Sequence, residues 1–288
     1  MAPLILKSSS SSSMRHKAAR LPAELTDRVI DHLHSDKLAL AKCSLVCKDW
    51  LPASRYHFFQ ISDIRLTGDN IHSFAELLNS PASTFFGHAL CVILSGPPVD
   101  SNRYLSASRI FDTISHHLFR LKIKSLALTS VVWNITGEKQ EELFKYFATI
   151  STLDLHSVLF SEPSLQPFDY RPQFIQFISS FLSLERLYLC EIFFPTCDVD
   201  PIPPFTLSPL LRFVDLTLYD MDPPSFTWFL SAVHFPPLDS LTISNIEHGD
   251  MSAIQAVLQS LGSSLHDLTL SFADPGTFIS GHWCISSL

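Results

Sequence analysis

From residue 61 onward the chain is written in one recurring apolar pattern. A large apolar residue is followed by two others, then by a second apolar residue, and after one intervening position by a third. Eight instances occur: Ile61/Ile64/Leu66, Ala89/Val92/Leu94, Ile123/Leu126/Leu128, Ile150/Leu153/Leu155, Leu184/Leu187/Leu189, Leu211/Val214/Leu216, Leu238/Leu241/Ile243 and Leu265/Leu268/Leu270. Their middle members are 27, 28 or 34 residues apart. The alternating end of each instance predicts a strand with one buried face. Between the strands, apolar residues fall at helical spacing over Asn70–Leu78, Tyr104–Phe119, Glu138–Ala148, Pro172–Leu182, Ser225–Val233 and Ser252–Leu261. Only the interval from Leu189 to Leu211 breaks the rule. It carries Pro195, Pro201, Pro203, Pro204 and Pro209, so an irregular loop is expected there.

One strand with one helix cannot bury its apolar face alone. Units of this size must stack and share a continuous core. The expected architecture is therefore an α/β solenoid over residues 61–271: about eight strands in a parallel concave sheet, with helices outside. The array resembles leucine-rich repeats in its spacing. It departs from them at the position five after each middle residue, where that family places Asn or Cys. Here stand Asp69, Pro97, Val131, Val158, Ile192, Tyr219, Ile246 and Ala273, so the turn after each strand has to be built another way and an irregular arc is expected. Residues 272–288 form a tail that either folds back over the last strand, with Phe278 and Trp283 covering the edge, or leaves the array open.

Ahead of the array the pattern is different. Residues 1–20 contain an unbroken run from Ser8 to Ser13 followed by scattered Arg and Lys, the composition of a disordered tail. From residue 21, Leu25, Val29, Ile30 and Leu33 form one helical stripe, with Pro22 suited to a helix start. A second apolar segment contains Leu38, Leu40, Leu45, Val46 and Trp50. A helical unit of about 40 residues is at the lower limit for independent folding, and a surplus of large apolar side chains suits it to lean on a partner.

Residues 21–60 resemble an F-box of the fungal type. That pattern runs Leu-Pro-x-Glu-Leu, then an apolar pair, then Leu, and ends Val-Cys-x-x-Trp. Leu21, Pro22, Glu24, Leu25, Val29, Ile30, Leu33, Leu45, Val46, Cys47 and Trp50 fall on it. The resemblance implies a three-helix unit that binds the Skp adaptor and, through it, a cullin. Leu21, Pro22, Leu25, Ile30, Leu33, Leu45, Val46 and Trp50 would contact that adaptor or brace the residues that do. The implied function is a non-catalytic substrate receptor of a Skp–cullin–F-box ubiquitin ligase, acting in the cytoplasm, the nucleus or both. An alternative is an F-box and repeat scaffold that delivers nothing for degradation.

The substrate end would be the array. If the apolar members point inward, the positions between them line the other face, where Asp154, His156, Arg186, Tyr188, Phe213 and Asp215 mix charge with aromatic surface. Charge refines the choice of partner. The net of −8 divides into +4 over residues 1–60 and −12 over 61–288, and beyond Arg212 there is no Lys or Arg. The array should attract a protein segment rich in Lys or Arg and repel nucleic acid.

Glycine placement excludes common enzyme loops. No pair among the eight glycines fits a dinucleotide fingerprint or a nucleophile elbow, and the one pair at P-loop spacing lacks the Lys and Ser/Thr that must follow. Cys43 and Cys47 stand near His32 and His34 at spacings that match no standard zinc finger. No cofactor, metal site or membrane span is expected.

Overall fold

A computed structural model describes residues 22–80, 89–97, 105–118, 120–135, 137–160, 171–192, 205–206, 215–221, 223–234, 237–246, 248–272 and 282–286. The serine-rich segment and most of the proline-rich interval lie outside these residues. The chain divides into two compact units, residues 1–57 and 58–288.

The first unit holds α1 (Ala23–Asp31), α2 (Lys37–Cys43) and most of α3 (Leu51–Ile61). Pro22 stands just before α1, and its carbonyl accepts from the Leu25 and Thr26 N–H groups. Asp36 caps α2 by accepting from the Ala39 N–H at 2.9 Å, which satisfies one of the donors a helix start leaves unpaired. Ile30, Leu40 and Cys43 are its buried apolar side chains. The buried hydroxyls of Thr26 and Ser54 donate to the carbonyls of Pro22 and Trp50, the residues just before their helices.

The second unit follows the repeat. In chain order it contains β1 (Asp63–Leu66), α4 (Ile71–Asn79), β2 (Ala89–Ser95), β3 (Leu105–Ser106), α5 (Ala107–Leu118), β4 (Lys122–Thr129), β5 (Val131–Trp133), α6 (Gly137–Phe147), β6 (Thr152–His156) and β7 (Leu159–Phe160). It continues with α7 (Arg171–Ser179), β8 (Arg186–Cys190), β9 (Phe205–Thr206), β10 (Asp215–Tyr219), α8 (Pro223–Ala232), β11 (Val233–His234), β12 (Ser240–Ile246), α9 (Met251–Leu261), β13 (Asp267–Phe272) and β14 (His282–Ser286). All six helices expected from apolar spacing are present within a few residues of their expected ends.

The fold is α/β, built on an open sheet in the order β1-β2-β4-β6-β8-β10-β12-β13-β14. The first eight strands run parallel, and β14 closes the row antiparallel to β13. The tail thus folds back as a ninth strand, one of the two outcomes expected for it; Phe278 lies outside the described residues. Side chains alternate cleanly. On β6 the residues Leu153 and Leu155 are fully buried while Thr152, Asp154 and His156 are half-buried. The buried face meets α4–α9 in one continuous core. Its centre is aromatic: Trp133 lies 4.4 Å from Phe177, and Phe177 5.0 Å from Phe181, centroid to centroid. Phe160 and Phe174, 5.1 Å apart, extend the ring contacts toward Phe229.

The register corrects one strand. Leu187 of β8 pairs with Leu216, not Val214, so the middle residue of the sixth instance is Leu216. The apolar pattern fits both placements because they differ by two residues. A two-residue slip leaves every side chain on its own face and changes only its cross-strand neighbour.

The turns replace the missing asparagine with a different device. Ser130, Ser157, Glu191, Asp220 and Asn245 all have positive φ, between 47° and 63°. Each stands four residues after the middle apolar member of its strand. Gly68 and Gly96 occupy the same place after β1 and β2. The next position is apolar and buried: Val131, Val158, Ile192, Met221 and Ile246. At these ends the N–H of the turning residue donates to the last carbonyl of the following strand: Gly96 to Thr129 at 2.8 Å, Ser130 to His156 at 2.9 Å, Ser157 to Cys190 at 3.0 Å and Glu191 to Tyr219 at 3.1 Å. A backbone column thus fastens the strand ends without an asparagine side chain.

Gly96 is the tightest point of that column. A Cβ there would lie 2.0 Å from the Ser130 carbonyl oxygen, whereas one at Gly68 would meet only the Leu105 Cδ1 at 3.5 Å. Gly96→Ala is therefore expected to lower unfolding free energy by at least ~1 kcal/mol, the usual cost of forcing an extra methyl into a packed site. Gly68→Ala should change it by less than ~0.5 kcal/mol. Chemical denaturation of the two variants and the parent measures the difference.

Candidate functional site

Five of the six face residues expected from sequence are brought together on adjacent strands; Phe213 lies outside the described residues. In the paired register, one row across β6, β8, β10 and β12 reads Thr152, Arg186, Asp215, Ser240. The next reads Asp154, Tyr188, Thr217, Thr242, and the third His156, Cys190, Tyr219, Ser244. Adjacent strands stand about 4.8 Å apart, so row neighbours are within contact range. Arg186 therefore faces Asp215 across the strand pair, and Asp154 faces Tyr188. The two-residue register correction made Asp215 the neighbour of Arg186 in place of Tyr188.

The third row carries the chemistry that local spacing did not reveal. His156 Nε2 lies 3.2 Å from Glu191 Oε2, and the Ser157 hydroxyl donates to the same carboxylate oxygen. Cys190 stands opposite His156. Among the described residues, His156, Cys190 and Glu191 are the one group whose potential metal-ligand atoms all lie within 4.8 Å of one another. Cys43, Cys47, His32 and His34 form no such group. The 34-residue interval between the fourth and fifth apolar instances is the sequence signal that places 156 against 190. Glu191 joins them through the turn.

Charge on this face is mainly negative. The Cys190 thiol is pushed up to about 12, first by burial and then by the carboxylates of Glu191, Asp154 and Asp220. Burial also raises the Asp154 carboxyl above its ordinary 3.8, an effect that the nearby His156 opposes. The Cys91 thiol, on the same face of β2, is likewise raised by burial. These thiols are poor nucleophiles at neutral pH, because the thiolate is the reactive form.

The first unit presents a second surface, of apolar character. Among the described residues eleven large hydrophobic side chains are exposed, and six of them, Leu25, Val29, Leu38, Leu45, Val46 and Tyr56, stand within residues 22–57. Of the adaptor-contact residues expected from sequence, Pro22, Leu25, Leu45 and Val46 are exposed, and Leu33 and Trp50 are half-buried. Ile30 is fully buried, so it braces the helices from inside. Leu21 lies outside the described residues. No described helix is long and apolar enough to cross a membrane.

Comparison with known proteins adds no family. No protein-family model matches the chain, and no curated protein matches it.

The direction of the Asp154 shift fixes a pH dependence. A carboxyl raised in the folded state holds its proton more tightly there than in the unfolded chain. Its contribution is fully present below the unfolded value and is lost as pH rises through the folded one. Asp154→Asn, which cannot ionise, should melt at a higher temperature than the parent at neutral pH. The gain should vanish below pH 3.8, where the parent carboxyl is protonated in both states. Thermal unfolding followed across that pH range tests this.

Proposed function

We propose that this chain is the substrate-recognition subunit of a Skp–cullin–F-box ubiquitin ligase, working in the cytoplasm or nucleus. In this reading residues 21–60 are the F-box and the sheet unit is a divergent leucine-rich array. The observation that carries it is the concentration of exposed apolar side chains on the small helical unit. Leu25, Val29, Leu45 and Val46 are exposed and also stand at positions of the F-box pattern. Large apolar groups left in water at one end of a chain favour a partner that covers them, at ~25 cal/mol for each Å² removed from solvent.

The division into two units suits the task. A ligase adaptor performs no bond chemistry. One end binds the ligase core, the other holds a substrate, and the gain is effective concentration of the substrate near the ubiquitin-charged enzyme. The substrate end is the open face around Asp154, His156, Arg186, Tyr188 and Asp215. Tyr and Arg are frequent anchors at such surfaces, and the surrounding carboxylates favour a segment rich in Lys or Arg.

Affinity capture with the proteasome blocked tests the adaptor end. The intact chain should retain a Skp-type adaptor and a cullin. A form carrying Leu21→Ala, Pro22→Ala and Trp50→Ala should lose both by at least ~10-fold while keeping its sheet-bound partners. Failure of the intact, folded chain to retain the adaptor overturns the reading, and an adaptor recovered without cullin would mark a scaffold instead.

A second measurement tests the sheet face. Arg186→Ala, Tyr188→Ala and Asp215→Ala together should lower substrate capture at least ~10-fold and leave adaptor capture unchanged. Residual substrate binding to the parent should fall as salt is raised, because the attraction is screened.

A further inference from the structure

We propose that His156, Cys190 and Glu191 form a three-ligand site for a zinc-type divalent ion at the C-terminal ends of β6 and β8. The inference concerns a site distinct from the adaptor surface and does not depend on the ligase reading.

Geometry comes first. Tetrahedral zinc, with bonds of about 2.0–2.3 Å to N, O and S, needs donors about 3.3–3.6 Å apart. His156 Nε2 and Glu191 Oε2 are 3.2 Å apart, and the three donor atoms all lie within 4.8 Å of one another. A side-chain adjustment of roughly 1 Å, within the reach of a cysteine rotamer, closes the set. The backbone is already placed. Cys190 is the register partner of His156, and the Ser157 N–H is bonded to the Cys190 carbonyl at 3.0 Å. Glu191 turns off the strand at φ 52°, and its carboxylate is further held by the Ser157 hydroxyl. Such hydrogen bonds to a ligating group fix its orientation, as partners of metal ligands commonly do.

The donor set selects the ion. Calcium and magnesium take oxygen donors, whereas a thiolate with an imidazole and one carboxylate suits zinc and its neighbours. Asp154 and Asp220 add carboxylate charge around the Cys190 sulfur. A divalent ion relieves that crowding and holds a coordinating thiol in its deprotonated form. All three side chains retain some solvent exposure, so the ion has an entry path and a fourth position for water. When occupied, the ion's two charges are balanced by the Cys190 thiolate and the Glu191 carboxylate, so this corner of the face changes from negative to neutral.

Zinc itself is the probe, titrated into the full-length, metal-stripped chain by equilibrium dialysis and calorimetry. The expected result is one ion per chain, with His156→Ala, Cys190→Ser and Glu191→Gln each weakening binding at least ~10-fold. Cys91→Ser and Cys47→Ser should leave it unchanged. Melting curves in chelator establish that each variant is folded. A second measurement needs no variant: cobalt added to the unaltered chain should give a sulfur-to-cobalt charge-transfer absorption. Absence of binding to the parent, full binding by folded Cys190→Ser, or a cobalt spectrum without thiolate character would each overturn the site.

Discussion

Two parallel strands cannot be joined by a tight hairpin; the chain must leave one end of the sheet and return to the other through a crossover. Seven such returns occur here between neighbouring strands, and each strand begins near the same edge as the last. Here the crossover helices among the described residues pack on one face of the sheet, and the other face keeps half-buried side chains such as Asp154, Tyr188 and Thr217. This layering also explains why the core is aromatic. The crossover helices touch the strands and one another, and Trp133, Phe144, Phe177 and Phe181 bridge those layers with stacked, edge and tilted contacts.

The same constraint acts at the point where each strand ends. The chain has to turn toward the buried face within two residues, so that an apolar side chain such as Val131 or Ile192 follows immediately. A residue with positive φ accomplishes this in the shortest length. Asp and Asn tolerate that conformation better than most residues, and Asp220 and Asn245 use it in that way, joined to each other through the Asn245 amide and the Asp220 carboxylate. At Glu191 the same turn brings a carboxylate beside His156. A backbone requirement of the sheet thus generates the polar cluster at its rim.

Most of this fold was legible because two periods are superimposed in the chain. Apolar alternation located the strands, and apolar residues at helical spacing located the helices between them. The face positions Asp154, His156, Arg186, Tyr188 and Asp215 followed directly, since side chains alternate on a strand. What stayed hidden depends on distances that period two does not encode. Leu211/Val214/Leu216 satisfied the pattern as well as the true register did. The proline-rich interval before it offered no landmark to separate them. The His156, Cys190 and Glu191 cluster was hidden for a related reason. Its members come from two units 34 residues apart, and one of them lies just beyond its strand. No short-range motif marks a site assembled by stacking.

Charge and apolar surface are distributed so that the two units suit different partners. The helical unit keeps only a few side chains inside and leaves Leu45, at 85% exposure, and Leu38, at 66%, in water. Such surface gains free energy from being covered, in an interaction that salt affects little. The sheet unit spends its apolar residues on its own core, and its other face carries carboxylates, hydroxyls, thiols, His156 and the arginines Arg65 and Arg186. A partner bound there would be held by charge and weakened by salt. Two interactions, one weakened by salt and one little affected by it, can be regulated independently on one chain. A zinc-type ion seated beside Cys190, as proposed above, would act on the sheet face within the roughly 8–10 Å over which its field survives screening.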